Sequence, residues 1–267
     1  MPIYRGRLAP SPTGFLHLGH AITFWRAQER ASAHGGQLVL RIEDLDPDRC
    51  RPEFCEAIME DLAWFGFDCN EGPYLQSERR DLYFAQREKL RAGGFIYPCT
   101  CSRRDVLAAA GAPHGESDEP VYPGTCRERR SDSLTPAGVN WRFRVPDGEA
   151  LCFIDERLGA QQAIAGREFG DFIVWRRDDV PAYQLAVVTD DTAMQITEVV
   201  RGADLLVSTF RQLLLYRALG SEPPAFYHTP LLTDETGRRL AKRDAALSLR
   251  ALWAAGVTPE QIRAAYL

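Results

Sequence analysis

Apolar side chains recur along this chain at two spacings, and the switches between them divide it into elements. IYRGRL, residues 3 to 8, is a short strand-like run stopped by Pro10 and Pro12, and a turn follows through Gly14. Helical spacing begins near Gly19 and continues to about residue 33, after which QLVLRI at 37 to 42 reads as a buried strand. Strand, helix and strand in that order predict the opening of a parallel sheet. Amphipathic spacing then predicts helices over 52 to 65 and 78 to 93, linked by GPYLQSE.

The character changes between 95 and 165, where cysteines occur, Gly and Pro cluster at 111 to 124, and short alternating segments such as WRFRV and LCFID appear. This stretch reads as an insertion. The sheet pattern resumes with DFIVWR at 171 to 176, followed by a helix in PAYQLAVVTDD, a strand in MQITEVVRG and a helix at 208 to 219. AFYHTPLL supplies a last strand before the polar loop TDETGRRLAKRD, and Leu249, Leu252, Trp253, Ile262 and Tyr266 predict one or two short helices in the tail. The expected fold is α/β, with a discontinuous parallel-sheet domain (1 to 94 and 166 to 246), an inserted subdomain (95 to 165) and a short helical tail (247 to 267).

Composition narrows the class. At 267 residues, 45% hydrophobic and 26% charged, the chain matches a soluble enzyme able to bury a sizeable core. No apolar run reaches membrane-spanning length and MPIYRGRLAPSP has no apolar targeting core, so a cytoplasmic location with no membrane partner is expected. Seven cysteines without an export signal argue against a disulfide framework and for metal binding by some of them. A net charge of -5 argues against nucleic-acid binding over the whole surface. Local patches remain open at Arg127, Arg129 and Arg130, at Arg176 and Arg177, and at Arg238, Arg239, Lys242 and Arg243.

Two segments suggest phosphate chemistry. His17, Leu18, Gly19 and His20 form an HLGH tetrapeptide at a predicted helix start, where unpaired amides and the positive dipole end favour anions. Gly19 leaves room for a base or ribose, and imidazoles three residues apart share a face from which both can donate to a phosphoryl group. Near the other end, Lys242 sits in a basic loop at 233 to 244 from which a cation could reach a phosphate chain. Taken singly, each has an ordinary explanation, a capping histidine in one case and a solvated lysine in the other.

Together, HLGH and the RLAKR segment (239 to 243) resemble the two signatures of class I aminoacyl-tRNA synthetases, and RLAPSPTGFLHLGHA with LRIEDLDPDR resembles the glutamyl group of that family. RLAKR departs from the family's KMSKS at its first, third and fifth positions, so only Lys242 keeps the central basic role. The resemblance implies a Rossmann-type catalytic domain in which His17, Gly19, His20 and Lys242 hold ATP with Mg²⁺, and His17, His20 and Lys242 serve catalysis while a carboxylate attacks the α-phosphate. It also implies an L-glutamate site formed by Arg7, Leu8, Ala9, Pro10 and Ser11 of the first turn, with Glu43 taking the ammonium and Tyr183 and Arg201 completing the pocket. A dicarboxylate with one ammonium independently calls for an Arg and an acidic residue, and either Arg7 or Arg201 can fork onto the side-chain carboxylate. An isolated Glu43 and Arg201 would more simply form a structural ion pair at a strand end. Their positions just past predicted strands, at the carboxyl edge where open parallel sheets bind ligands, favour the pocket.

Cys99, Cys101 and Cys126 offer three thiolates around a loop that lacks a core of its own, and Zn²⁺ could fold it. Ligand chemistry offers His114 as the fourth donor, whereas the CTC and YPGTC pattern resembles a subgroup in which Tyr122 completes the site. The remaining Cys50, Cys55, Cys69 and Cys152 read as core or surface residues. Full glutamyl enzymes carry a sizeable anticodon-reading helical domain after the basic loop, whereas this chain ends about 25 residues beyond Lys242. The resemblance is therefore to the stand-alone catalytic paralogues, expected as monomers, which form glutamyl-adenylate without tRNA and esterify queuosine in tRNA(Asp). A shortened synthetase charging a 3′ terminal ribose, or a zinc-stabilised RNA-binding protein without catalysis, are the competing readings.

Overall fold

A computed structural model describes residues 3–110, 121–129, 138–232 and 248–266. Lys242 with its basic loop, and His114, lie outside the described residues. Strands β1 (Arg5–Leu8), β2 (Gln37–Ile42) and β3 (Glu71–Leu75) pair in parallel in that order, joined by helices α1 (Leu18–Ala33) and α2 (Pro52–Phe65). Helix α2 starts on Pro52, whose fixed φ suits a first turn, and stops at Gly66 with φ +86°, a left-handed cap that a side chain would disfavour. The segment expected only as a link between helices thus contains β3. Its largely exposed Gly72 and Pro73 hide the strand pattern, and such residues are tolerated there because β3 forms the outer strand of this sheet.

Helix α3 (Arg80–Ala92) leads into β4 (Ile96–Cys99), α4 (Arg103–Ala110), β5 (Asn140–Phe143), β6 (Ala150–Asp155), β7 (Gly159–Ile164) and β8 (Phe172–Trp175). Then come α5 (Tyr183–Ala193), β9 (Glu198–Gly202), α6 (Leu206–Leu219), β10 (Ala225–Thr229), α7 (Leu249–Ala254) and α8 (Pro259–Tyr266). A second sheet has the order β7-β6-β10-β9, with β10 parallel to both β6 and β9. It meets the first sheet where the Thr197 amide donates to the Arg5 carbonyl (2.9 Å) and the Arg5 amide donates to Thr197 Oγ1 (2.8 Å). The chain therefore runs outward from β1 to β2 and β3 on one side, and β9 and β10 lie on the other. The β1/β9 seam is the switch point at which open α/β sheets hold ligands beyond their strand ends.

Three strands sit elsewhere than the sequence pattern suggests. DFIVWR does not resume the parallel sheet, because β8 pairs antiparallel with β5 in a small sheet of order β4-β5-β8. The β6–β7 hairpin, expected inside the insertion, instead extends the second sheet through β10. A short apolar run announces burial but not which strand it pairs with, and register against Trp141 and Phe143 decides that for β8. One core cluster joins Trp141 and Trp175 to Leu185, Leu215 and Tyr216. Another gathers Leu8, Leu18, Ile22 and Phe65 with Leu249 and Ile262 of the tail.

Candidate active site and thiol cluster

The HLGH segment folds as a cap made of its own histidines. His17 is the residue before α1, and its Nδ1 accepts from the Gly19 amide at 3.1 Å; His20 Nδ1 accepts from the His17 amide at 3.2 Å. Two of the amides a helix start leaves without partners are satisfied in this reciprocal way. The two rings stack with centroids 3.8 Å apart. Because each Nδ1 is an acceptor, the proton of each neutral imidazole resides on Nε2, which makes Nε2–H a donor. Gly19 serves this arrangement too, since a Cβ there would stand 3.0 Å from His17 Cε1 and 3.1 Å from Nδ1. The tail closes against the same segment, with the Leu249 amide donating to the Leu16 carbonyl at 2.9 Å.

At the β1/β9 seam, Arg7 is buried and Nη1 donates to the Val200 carbonyl across the seam at 2.9 Å. Leu8 packs into the core, Pro10 is buried, and Ser11 lies exposed on the turn. The Glu43 amide donates to the Pro10 carbonyl at 2.9 Å, which pins the turn over the end of β2. Arg7 of β1, Glu43 just after β2, Tyr183 at the start of α5 and Arg201 of β9 lie within electrostatic reach of one another. Glu43 Oε1 accepts from Arg41 Nη2 at 3.1 Å, and Oε2 makes no hydrogen bond among the described residues. Burial pushes the Glu43 carboxyl up, while Arg41 and Arg7 pull it down. Arg201 is buried and its Nη1 makes no hydrogen bond among the described residues; Arg7 Nε makes none either, though it stands 3.7 Å from Asp191 Oδ1. Burial, with the Arg7 charge adding to it, holds Arg201 below the ordinary guanidinium range. Buried guanidinium N–H groups without hydrogen bonds are chemically suited to take an anion, since an unmade charged hydrogen bond is costly away from solvent.

Beneath this pocket lies a polar network that the sequence reading missed. Asp190 and Asp191 sit side by side, buried, in the last turn of α5, where the helix dipole disfavours carboxylates. Arg41 Nη1 donates to Asp191 Oδ1 (2.7 Å) and Arg79 Nε to Asp190 Oδ1 (2.7 Å). Gln76 and Tyr83 donate to Asp190 Oδ2, both at 2.8 Å. Arg41 thereby links the paired aspartates to Glu43. The signal was present in the sequence, as an Arg inside the apolar QLVLRI and a TDD inside an apolar helix.

The thiol cluster lies in a separate small core with Tyr97 and Val106. Cys99, Cys101 and Cys126 sulfurs all lie within 4.8 Å of one another. The Tyr122 hydroxyl is 3.4 Å from Cys99 Sγ and 3.5 Å from Cys101 Sγ, and it accepts from the Cys126 amide at 2.9 Å. Tetrahedral zinc–thiolate bonds of about 2.3 Å require sulfurs about 3.8 Å apart, so the three thiols and the phenol are a donor set that fits zinc. Arg142 Nε donates to Cys99 Sγ at 3.3 Å and its guanidinium covers the Tyr122 ring at 4.0 Å, which orients both. Burial pushes the Cys126 thiol up, but hydrogen bonds from the Thr100 backbone, Tyr122 and the other two cysteines outweigh it and bring it down to about 6. Among the other cysteines, Cys152 is exposed and Cys50, Cys55 and Cys69 are half-buried. Within two of the expected basic patches, Arg127 pairs with Asp147 and Arg176 with Asp46 and Asp178. No helix among the described residues is long and apolar enough to cross a membrane.

Comparison with known proteins agrees with this architecture. The family described as tRNA synthetases class I (E and Q), catalytic domain, matches residues 4–266. A glutamyl-Q tRNA(Asp) synthetase of Nitratidesulfovibrio vulgaris is 50% identical over 97% of this chain and 83% of its own length. One of the same name from Symbiobacterium thermophilum is 48% identical over 96% and 83%. A solved glutamate-tRNA synthetase from Elizabethkingia anophelis superposes with a TM-score of 0.79 at 31% identity, covering 91% of this chain and 53% of that one. The chain thus spans about half the length of that solved structure. With the family matching almost end to end, the α/β sheet and its HLGH cap belong to the catalytic domain of the class I tRNA synthetases for glutamate and glutamine.

Proposed function

We propose that this chain activates L-glutamate with ATP to form glutamyl-adenylate without tRNA, then transfers the glutamate to the cyclopentenediol of queuosine at the wobble position of tRNA(Asp). The observation that carries the acceptor is the likeness, over 97% of the chain, to a relative named glutamyl-Q tRNA(Asp) synthetase. Arg201 Nη1 and Arg7 take glutamate carboxylate oxygens, and Glu43 Oε2 accepts from the ammonium, while the Arg7–Ser11 turn and Tyr183 close the pocket. ATP enters as its Mg²⁺ complex with phosphates at the start of α1, where the His17 and His20 Nε2–H groups and Lys242 stabilise the charge that builds on them. In the first step an α-carboxylate oxygen bonds to the α-phosphorus and pyrophosphate leaves. In the second a queuosine hydroxyl attacks the glutamyl carbonyl, loses its proton, and AMP leaves. Neither step needs a side-chain nucleophile. Zinc held by Cys99, Cys101, Tyr122 and Cys126 supplies structural cross-linking of the small core; the position of Tyr122 among the sulfurs supports it over His114 as fourth donor.

Charging of tRNA(Asp) with and without queuosine tests the acceptor. Glutamylation of the modified tRNA alone is expected, and equal charging of both would shift the reading to a 3′ terminal ribose. Glutamate-dependent exchange between pyrophosphate and ATP in the absence of tRNA tests activation, and its absence would leave a zinc-stabilised RNA-binding protein.

A further inference from the structure

Behind Arg201 the interior holds a chain of polar groups with no part in the chemistry described so far. Arg201 (4% exposed) donates from Nε to His228 Nε2 at 3.2 Å and from Nη2 to Thr209 Oγ1 at 2.7 Å. His228 and Thr209 are fully buried, and Thr209 Oγ1 is itself 3.1 Å from His228 Nε2. On the far side of the ring, His228 Nδ1 is 2.6 Å from Asp155 Oδ2. The Asp155 carboxylate also accepts from the amides of Leu158 (2.8 Å), Arg157 (3.1 Å) and His228 (3.1 Å), so the hairpin turn after β6 fixes its orientation.

The protons in this chain can be assigned from donor chemistry alone. A guanidinium has no acceptor, so His228 Nε2 must present a lone pair to Arg201, and an ionised Asp155 has no donor, so His228 Nδ1 must carry the proton. Both ends dictate the same neutral tautomer. With Nε and Nη2 docked on His228 and Thr209, Nη1 is the part of the guanidinium left buried without a hydrogen bond among the described residues.

We infer that His228, oriented by Asp155, is a positioning residue that aims the free Nη1 of Arg201 into the ligand pocket while leaving its positive charge whole. This inference rests on the reading of Arg201 as a glutamate ligand. A carboxylate in the position of His228 would orient the guanidinium equally well but would neutralise it, and the pull on a substrate carboxylate would fall. A neutral imidazole orients without competing for the charge. The charged groups facing His228 are Asp155 and Arg157 from the β6 side and Arg201 from β9; burial first and then Arg201 hold the ring below the usual histidine range, in keeping with a neutral bridge.

Pyrophosphate–ATP exchange without tRNA, with KM measured separately for glutamate and ATP, tests the inference in Arg201→Ala, His228→Asn and His228→Gln. Asn can still donate to Asp155 but withdraws the acceptor from Arg201, whereas Gln returns an acceptor near the Nε2 position. Loss of a charged hydrogen bond predicts a KM for glutamate about tenfold or more higher in His228→Asn, with KM for ATP unchanged and with recovery to within about threefold in His228→Gln. Arg201→Ala should raise the glutamate KM further. If Arg201→Ala leaves it at the wild-type value, the reading of Arg201 fails. If Arg201→Ala is impaired while His228→Asn is not, the positioning role alone fails, and it also fails if both His228 variants damage the two KM values equally. Nitrogen NMR of the wild-type protein supplies a check independent of variant folding: the Nδ1-protonated neutral tautomer is expected at neutral pH, and an imidazolium or Nε2-protonated ring overturns the inference.

Discussion

Replacing His20 by Ala removes two things of different size. The first is structural: the His17 amide loses the Nδ1 that accepts from it at 3.2 Å, and the His17 ring loses its stacking partner at 3.8 Å. Loss of one helix-capping side chain costs about 1 kcal/mol, which in a chain of this size lowers the melting temperature by about 2–4 °C. The second is chemical: on the proposed function, the variant loses an Nε2–H donor to a phosphate whose charge builds during adenylate formation. Removing one such donor costs about 10²–10³ in rate, or roughly 3–4 kcal/mol of transition-state stabilisation. The two separate cleanly when glutamate-dependent pyrophosphate exchange is assayed well below the melting transition, beside a thermal unfolding curve. A variant that melts slightly early and exchanges at least a hundredfold slower is expected. Exchange within about threefold of wild type would refute the donor role and leave His20 as a cap alone.

Two other perturbations probe parts of the fold away from the histidines. Cys101→Ser should abolish metal binding and loosen the small core around Tyr97 and Tyr122 while the parallel sheet stays folded; elemental analysis finding no zinc in the native chain would sink the assignment. Asp61, buried in α2 beside Arg250 Nε (3.2 Å), is pushed up by burial to about 6, with Arg250 opposing that shift. Its folded value lies above its unfolded one, so its stabilising contribution is full below about pH 4 and is lost as pH rises through 6. Asp61→Asn should flatten the stability curve across that window, as read by denaturant unfolding at several pH values, and an unchanged curve would contradict the burial argument.

The strand, turn and helix start that carry the proposed phosphate end were legible from residues 7 to 27, because they are local features written in adjacent residues. The grouping of Arg7, Glu43, Tyr183 and Arg201, the proposed glutamate pocket, came only through resemblance, since the four are distant in sequence and nothing in their spacing announces that they meet. Arg41, Asp191 and His228 went unread for a related reason. A charged residue in an apolar run shows that something must compensate its burial, but the partner that does so is chosen by strand order.

The sequence alone determined the periodicities, the helix start at HLGH, the CxC thiols and hence the α/β class, all of which depend on neighbours a few residues apart. Tertiary structure alone decided that β9 lies beside β1, that β8 turns into the small antiparallel sheet and that β6 reaches β10. The physical reason is that pairing depends on long-range register and shared burial, which a one-dimensional pattern does not encode. From those three pairings come the seam where Arg7 meets Val200, the buried interior in which Arg201 Nη1 makes no hydrogen bond among the described residues, and the Asp155–His228 bridge behind it.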